Sequence, residues 1–247
     1  MTRSSAAFFD LDKTLISRSS TLAFSRPFYQ DGLISRAAMI RGTFAQAVFQ
    51  RAGAGPGRME RIRVQAGQLC RGWQAERVRE IVRENLDEII VPHLYAEARA
   101  MVSGHREAGR DIIVVSASGH EVVDPIAALL GADTVIATQM VITDSRYTGN
   151  FGFYAYGEAT AVRIRQLAAE RGYEPADSYA YSSYAYSDSI TDLPMLEAVG
   201  HPTAVNPTGR CGGPRPSGAG RYCPLRPRPA AAGCPGDFLK HPRPCIR

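Results

Sequence analysis

The chain has 247 residues, 45% hydrophobic and 21% charged, which fits one large globular domain or a domain with a smaller insert. No apolar run approaches the roughly 18 residues of a membrane-spanning helix, and the four-residue apolar run before Asp10 is too short for a signal peptide, so a cytoplasmic protein is expected. The net charge of +5 comes from the last forty residues, Thr208 to Arg247, where eight Lys/Arg face the single acid Asp237; the rest is net acidic, so no nucleic-acid partner is expected.

"AAFFD", residues 6–10, reads as a short buried strand ending in an acid. Residues from about 18 to 90 read as helical. "LISRAAMIRGTFAQAVFQ" and "AERVREIVRENLDEII" carry apolar residues at helical spacing, with "AGAGPG" as a loop between them. "YAEARAMVSGHREAG" is a further helix stopped by Gly109. "DIIVVSAS" is a β-branched buried strand running into a small-residue loop. "HEVVDPIAALLGA" predicts a helix, "TVIATQMVITDSRYTGNFG" a hairpin, and "GEATAVRIRQLAAERG" a helix stopped by Gly172.

The pentapeptide Ser-Tyr-Ala-Tyr-Ser then occurs twice in succession, at 178–182 and 183–187. Two copies of five residues are no repeat architecture, which needs units of about 20 or more. The copy next to Asp188 is expected to form the strand, with the first copy in the preceding loop. A five-residue slip would turn every side chain to the other face. "TDLPMLEAVG" predicts a short helix and "PTAVN" a last strand.

Strands alternating with helices imply an α/β fold, a parallel sheet with helices on both faces. The helical block after the first strand is too long for an ordinary connection and reads as an inserted cap. The expected division is a core of 1–17 and 91–207, a cap of 18–90, and a tail of 208–247. The tail holds eight Pro, seven Gly and four of the five Cys, at 211, 223, 234 and 245, with no helix or strand period. A disordered extension, a zinc site and a product of a shifted reading frame are all open for it. The Cys spacing lacks the close pairs of zinc modules, and the abrupt break favours the last reading.

In open parallel sheets the site lies at the carboxyl ends of the strands, and three candidate motifs fall at predicted strand ends. "FFDLDKTL" sets Asp10 and Asp12 two residues apart after an apolar strand, with Thr14 next. One carboxylate can attack phosphorus and the other can donate and accept protons. Paired acids also attract Mg2+. The bland alternative is an acidic turn. "VVSAS" places Ser116 and Ser118 where hydroxyls and a helix N-terminus can hold phosphate oxygens; the bland alternative is a helix cap. "SDSITDLP" supplies Asp188 and Asp192 as candidate metal ligands, with capping as the alternative.

These motifs together resemble the haloacid dehalogenase (HAD) superfamily of phosphohydrolases. "DLDKT" matches its first motif, D-x-D-x-T; "SAS" its second; "SDSITD" its fourth. The insert and the "YGEATA" and "SDSITDLPMLEAVGHPTAVNP" stretches are similar to subfamily IB, the phosphoserine-phosphatase-like group, over roughly residues 4 to 207. The resemblance implies a HAD-like core with a C1-type cap. It implies Asp10 as nucleophile and Asp12 as general acid/base with its carbonyl on Mg2+. It makes Ser116 a phosphoryl ligand, Asp188 a metal ligand with Asp192 nearby, and Thr14 a brace for the loop.

One position departs from the pattern. The family's third motif is a Lys in a context like G-x-x-K, and here "GEAT" puts Thr160 in that place. Arg163, one turn on, is a candidate substitute cation. Lys13 should point away from both acids if its segment stays extended. Phosphoserine phosphatases carry a Glu nine residues after the nucleophile, where this chain has Ser19. The expectation is a Mg2+-dependent phosphomonoesterase for a small phosphorylated metabolite, weakened by Thr160. The alternative is an impaired regulator that binds a phosphorylated ligand or a partner protein. No membrane partner is expected.

Overall fold

Strand β1 (Ala6–Asp10) lies inside a seven-stranded sheet of order β4-β3-β2-β1-β5-β6-β7. The computed structural model describes residues 5–37, 39, 56–173, 184–187, 193–205 and 221–223. Its neighbours are β2 (Asp111–Gly119) and β5 (Tyr184–Ser187), both parallel to it. Beyond β2 come β3 (Thr134–Thr143), parallel, and β4 (Arg146–Phe153), antiparallel to β3. Beyond β5 come β6 (His201–Val205) and β7 (Arg221–Cys223), both parallel.

The central strands are apolar on both faces because both are covered. Ala7, Phe9, Ile112 and Val114 face one core. It is filled from helices α4 (Ala75–Ile89), α5 (Ala96–Glu107) and α6 (His120–Leu129). Ala6, Phe8, Ile113 and Val115 face the other, under α7 (Glu158–Arg171) and α8 (Leu193–Glu197). The strand period of two thus divides β1 and β2 between two cores.

Between β1 and β2 the chain makes the helical insert: α1 (Ser20–Ala23), α2 (Ser25–Gln30), α3 (Pro56–Cys70) and α4. A 3-10 turn, Val91–His93, follows α4. Pro56 and Gly57, expected in a loop, open α3 instead, a position where proline is tolerated. The insert's two ends meet. The Ser17 N–H donates to the His93 carbonyl at 2.8 Å, and the Tyr95 N–H to that of Leu15 at 3.1 Å.

The connector between α3 and α4 is also tied to the β3–β4 hairpin. The Gly72 N–H donates to Tyr147 O at 2.8 Å, Tyr147 N–H to Trp73 O at 3.0 Å, and Ala75 N–H to Ser145 O at 3.1 Å. A Cβ added at Gly67 of α3 would lie 2.2 Å from the Gly149 carbonyl of β4, so only glycine permits this approach. The hairpin turn has Asp144 and Ser145 at φ 49° and 64°, the two left-handed residues of a type I′ turn.

The described β5 comes from the second copy of the doubled pentapeptide, as expected; the first copy lies outside the described residues. Most of the helix expected over 33–50 lies outside them too. In the tail, where no strand was expected, Arg221–Cys223 pairs with β6. Three residues are too few for a side-chain period to be read, and an open sheet edge recruits backbone whatever its side chains. The other three tail cysteines lie outside the described residues. No helix among the described residues is long and apolar enough to cross a membrane.

Candidate active site

Asp10 is the last residue of β1 and pairs in register with Val115 of β2. The Leu11 N–H continues the ladder to the Val115 carbonyl at 3.2 Å. Ser116 is the next residue, so Asp10 and Ser116 stand side by side at the carboxyl edge of the sheet. On the other flank Phe9 is in register with Tyr186 of β5, which ends at Ser187. Asp188 and Asp192 lie outside the described residues.

Past Asp10 the backbone does not stay extended. Leu15 and Ile16 both donate their N–H groups to the Leu11 carbonyl, at 3.0 and 3.1 Å, and Lys13 adopts φ 65°. This turn corrects the extended geometry assumed for Lys13. Its charge acts on Asp12, stabilising the carboxylate, though less than the hydrogen bonds there. Thr14 is fully buried, and its Oγ1 has no hydrogen-bond partner among the described residues.

Asp12 Oδ1 accepts the Ser20 backbone N–H at 2.9 Å. Burial pushes the Asp12 carboxyl above the ordinary range, against the opposing pull of hydrogen bonds from Ser20 and Ser19 and the Lys13 charge. Asp12 therefore keeps its proton to higher pH than a free aspartate, as suits a general acid.

Ser116 is buried, and its Oγ accepts the Ser118 N–H at 3.1 Å. The N-cap of α6 is Gly119, with no side-chain cap bond, so neither serine fills the capping role that was the bland alternative. The pairing of β2 with β3 shifts register between Ser116 and Gly119. Thr138 of β3 holds this bulge: its hydroxyl donates to the Ala117 carbonyl at 2.8 Å and accepts the Ala155 N–H at 3.1 Å. Ser118 Oγ in turn accepts hydroxyls from Ser20 and Thr21, each at 2.9 Å. The first turn of the insert thus touches both the Asp12 carboxylate and the Ser116–Ser118 loop. Sequence reasoning missed Ser20, Thr21 and Thr138; the hydroxyl run "SRSST" was the one visible trace of the first two, and Thr138 left none.

Thr160 lies in the first turn of α7, 6% exposed, its N–H donating to the Gly157 carbonyl at 3.1 Å. Arg163 is engaged elsewhere among the described residues. Its guanidinium pairs with Glu170 at 2.8 Å along the outer face of α7. No group of three or more His, Cys, Asp or Glu among the described residues is clustered to hold a metal ion.

The family model of haloacid dehalogenase-like hydrolases matches residues 7–197. The chain is 54% identical over 203 residues to the inhibition of morphological differentiation protein of Streptomyces azureus, covering 82% of this chain and 72% of that one. It is 52% identical over 202 residues to a probable phosphatase of Mycobacterium tuberculosis, covering 82% and 69%. A histidinol-phosphatase of Neisseria meningitidis is 35% identical over 206 residues, covering 81% and 90%. A solved structure of a protein of unknown function from Bordetella pertussis shares 31% identity at a TM-score of 0.71, covering 84% of this chain and 92% of that one. Matched over most of its length, with Asp10 at the strand end where the family's first motif begins, the chain belongs to the haloacid dehalogenase-like hydrolases.

Proposed function

We propose that the protein is a Mg2+-dependent phosphomonoester hydrolase acting through an aspartyl-phosphate on a small phosphorylated metabolite in the cytoplasm. The observation that carries this reading is the register of Asp10 with Val115, which sets Asp10 next to Ser116 at the sheet edge, beside a buried Asp12 whose pKa is raised. Asp10 Oδ attacks phosphorus, and the bond to the ester oxygen breaks. Asp12 gives its proton to that oxygen, then takes one from the water that hydrolyses the aspartyl-phosphate. Ser116, Ser118 and the N-terminus of α6 bind the phosphoryl oxygens. Thr14 supports the loop.

The donor set fits Mg2+: hard carboxylate oxygens, with the buried Thr14 hydroxyl in the same loop, which has no partner among the described residues. Asp10, the Asp12 carbonyl and Asp188, with Asp192 nearby, would hold the ion. When bound it neutralises charge on the transferring phosphoryl group. The helical insert, 18–90, serves as the cap that supplies the substrate's surroundings. Ser19 at the position nine beyond Asp10 disfavours phosphoserine. The relatives named as phosphatases, one of them for histidinol phosphate, support a small phosphomonoester.

A second reading, a weakened enzyme that senses a phosphorylated ligand, is favoured by Thr160 and by the engagement of Arg163 with Glu170. A screen of phosphorylated metabolites with Mg2+ tests the proposal, with Asp10→Asn as the blank. Phosphate release from one or a few metabolites, absent in the blank, is expected. Tight binding of a phosphorylated compound without any release would support the sensor instead.

A further inference from the structure

Glu121 is a buried carboxylate for which the proposed chemistry has no use. It lies in the first turn of α6, three residues past Ser118, with its side chain 6% exposed. Three other elements converge on it. Arg79 of α4 approaches at 3.3 Å. The Tyr147 hydroxyl of β4 lies beside it, and burial together with the Glu121 charge raises its pKa. Cys70 at the end of α3 is close as well: burial, aided by the Glu121 charge, pushes its thiol up to about 12. A helix N-terminus favours the carboxylate, but a buried charge persists only when partnered.

The partners all come from the helical insert and the hairpin, the two parts already joined by the backbone hydrogen bonds of Gly72, Tyr147 and Ala75. Glu121 itself belongs to the helix that begins at the Ser116–Ser118 loop. Swinging the insert away from that loop would strip the Arg79 charge from a buried carboxylate. It would also separate Ser20 and Thr21 from Ser118.

We infer that Glu121 is a positioning residue that fixes the insert against the Ser116–Ser118 loop, so that Ser20 and Thr21 keep their places at Ser118 and Asp12. The first turn of the insert then lines the site while this contact holds. This rests on the phosphatase reading for its effect on turnover, and on geometry alone for its effect on opening.

The test is Glu121→Gln, which keeps the shape and removes the charge. Removing the charge from the Arg79 contact should raise local opening about tenfold or more. Amide exchange at Gly72, Ala75 and Tyr147 should quicken by that factor, and kcat on p-nitrophenyl phosphate should fall several-fold. Gln74 and Arg146 form an antiparallel bridge between the connector and the hairpin. Cysteines there fall within the reach of a disulfide. Cross-linking Gln74→Cys to Arg146→Cys in the Glu121→Gln protein should restore kcat to that of the same cross-link in the native background.

Unchanged exchange in folded Glu121→Gln overturns the inference. So does a loss of turnover that the cross-link fails to restore. Should Glu121→Gln not fold, Arg79→Met removes the observed partner of Glu121, and unchanged exchange at the same amides is again contradictory. The exchange readout holds even if wild type hydrolyses nothing, so failure of the phosphatase reading is seen separately.

Discussion

The backbone N–H of Ser20 donates to Asp12 Oδ1 at 2.9 Å, so the first turn of the helical insert is seated on the carboxylate proposed as the general acid. The Ser20 hydroxyl carries one proton and has two claimants, Asp12 and Ser118. Its bond to Asp12 favours the ionised carboxylate. Ser20→Ala therefore raises the Asp12 pKa further. Activity that needs protonated Asp12 falls as pH rises through that pKa, so the alkaline limb of the kcat profile should move to higher pH in Ser20→Ala. A limb that stays in place or moves down would separate Ser20 from the acid.

Thr160→Lys should raise turnover. Thr160 is buried in the first turn of α7, and the Arg163 guanidinium one turn on is paired with Glu170. Phosphoryl transfer gains mostly from preorganised charge, and one such group is worth about 10²-fold or more. A rise of at least tenfold in kcat/KM is expected, with some loss of stability from burying an ammonium. No gain would mean that another cation already fills the role.

Gly67→Ala should destabilise the fold. In an ordinary helix the change would help by about 1 kcal/mol. Here the new Cβ would meet the Gly149 backbone carbonyl at 2.2 Å, which cannot swing aside as a side chain could. Overpacking of that kind costs about 1–3 kcal/mol, so a lower midpoint in urea is expected.

His105 predicts how stability depends on pH. It is buried against the edge of the Phe9 ring, 5.8 Å between centroids, and burial, with Arg110 beside it, lowers its pKa to about 4. The unfolded chain binds a proton near pH 6.5 that the folded protein refuses until about 4. Stability is therefore fully present above 6.5 and is lost as pH falls toward 4, by about 3 kcal/mol. Urea titrations at pH 7 and 4.5 should show the drop in wild type and a smaller one in His105→Asn.

The elements legible in the sequence were those with a local cause. The Asp10 strand end, the Gly109 and Gly172 helix stops and the β3–β4 hairpin each follow from residues a few positions apart. The choice between pentapeptide copies followed from strand phase. What stayed hidden depends on long-range closure. Ser20 and Thr21 meet Ser118 across 98 and 97 residues, and no local pattern distinguishes them from surface hydroxyls. The Lys13 turn was misjudged because strand geometry was extended past Asp10, where two hydrogen bonds to Leu11 O take over. Arg163 lay one helical turn from Thr160, but Glu170 on the same helix holds it outward.

The central claim is that Asp10 is the nucleophile of a Mg2+-dependent phosphatase. Its most direct test is p-nitrophenyl phosphate hydrolysis by wild type and Asp10→Asn, each with Mg2+ and with a chelator. Turnover is expected only for wild type with Mg2+, with Asp10→Asn at background. Hydrolysis that survives Asp10→Asn would contradict it.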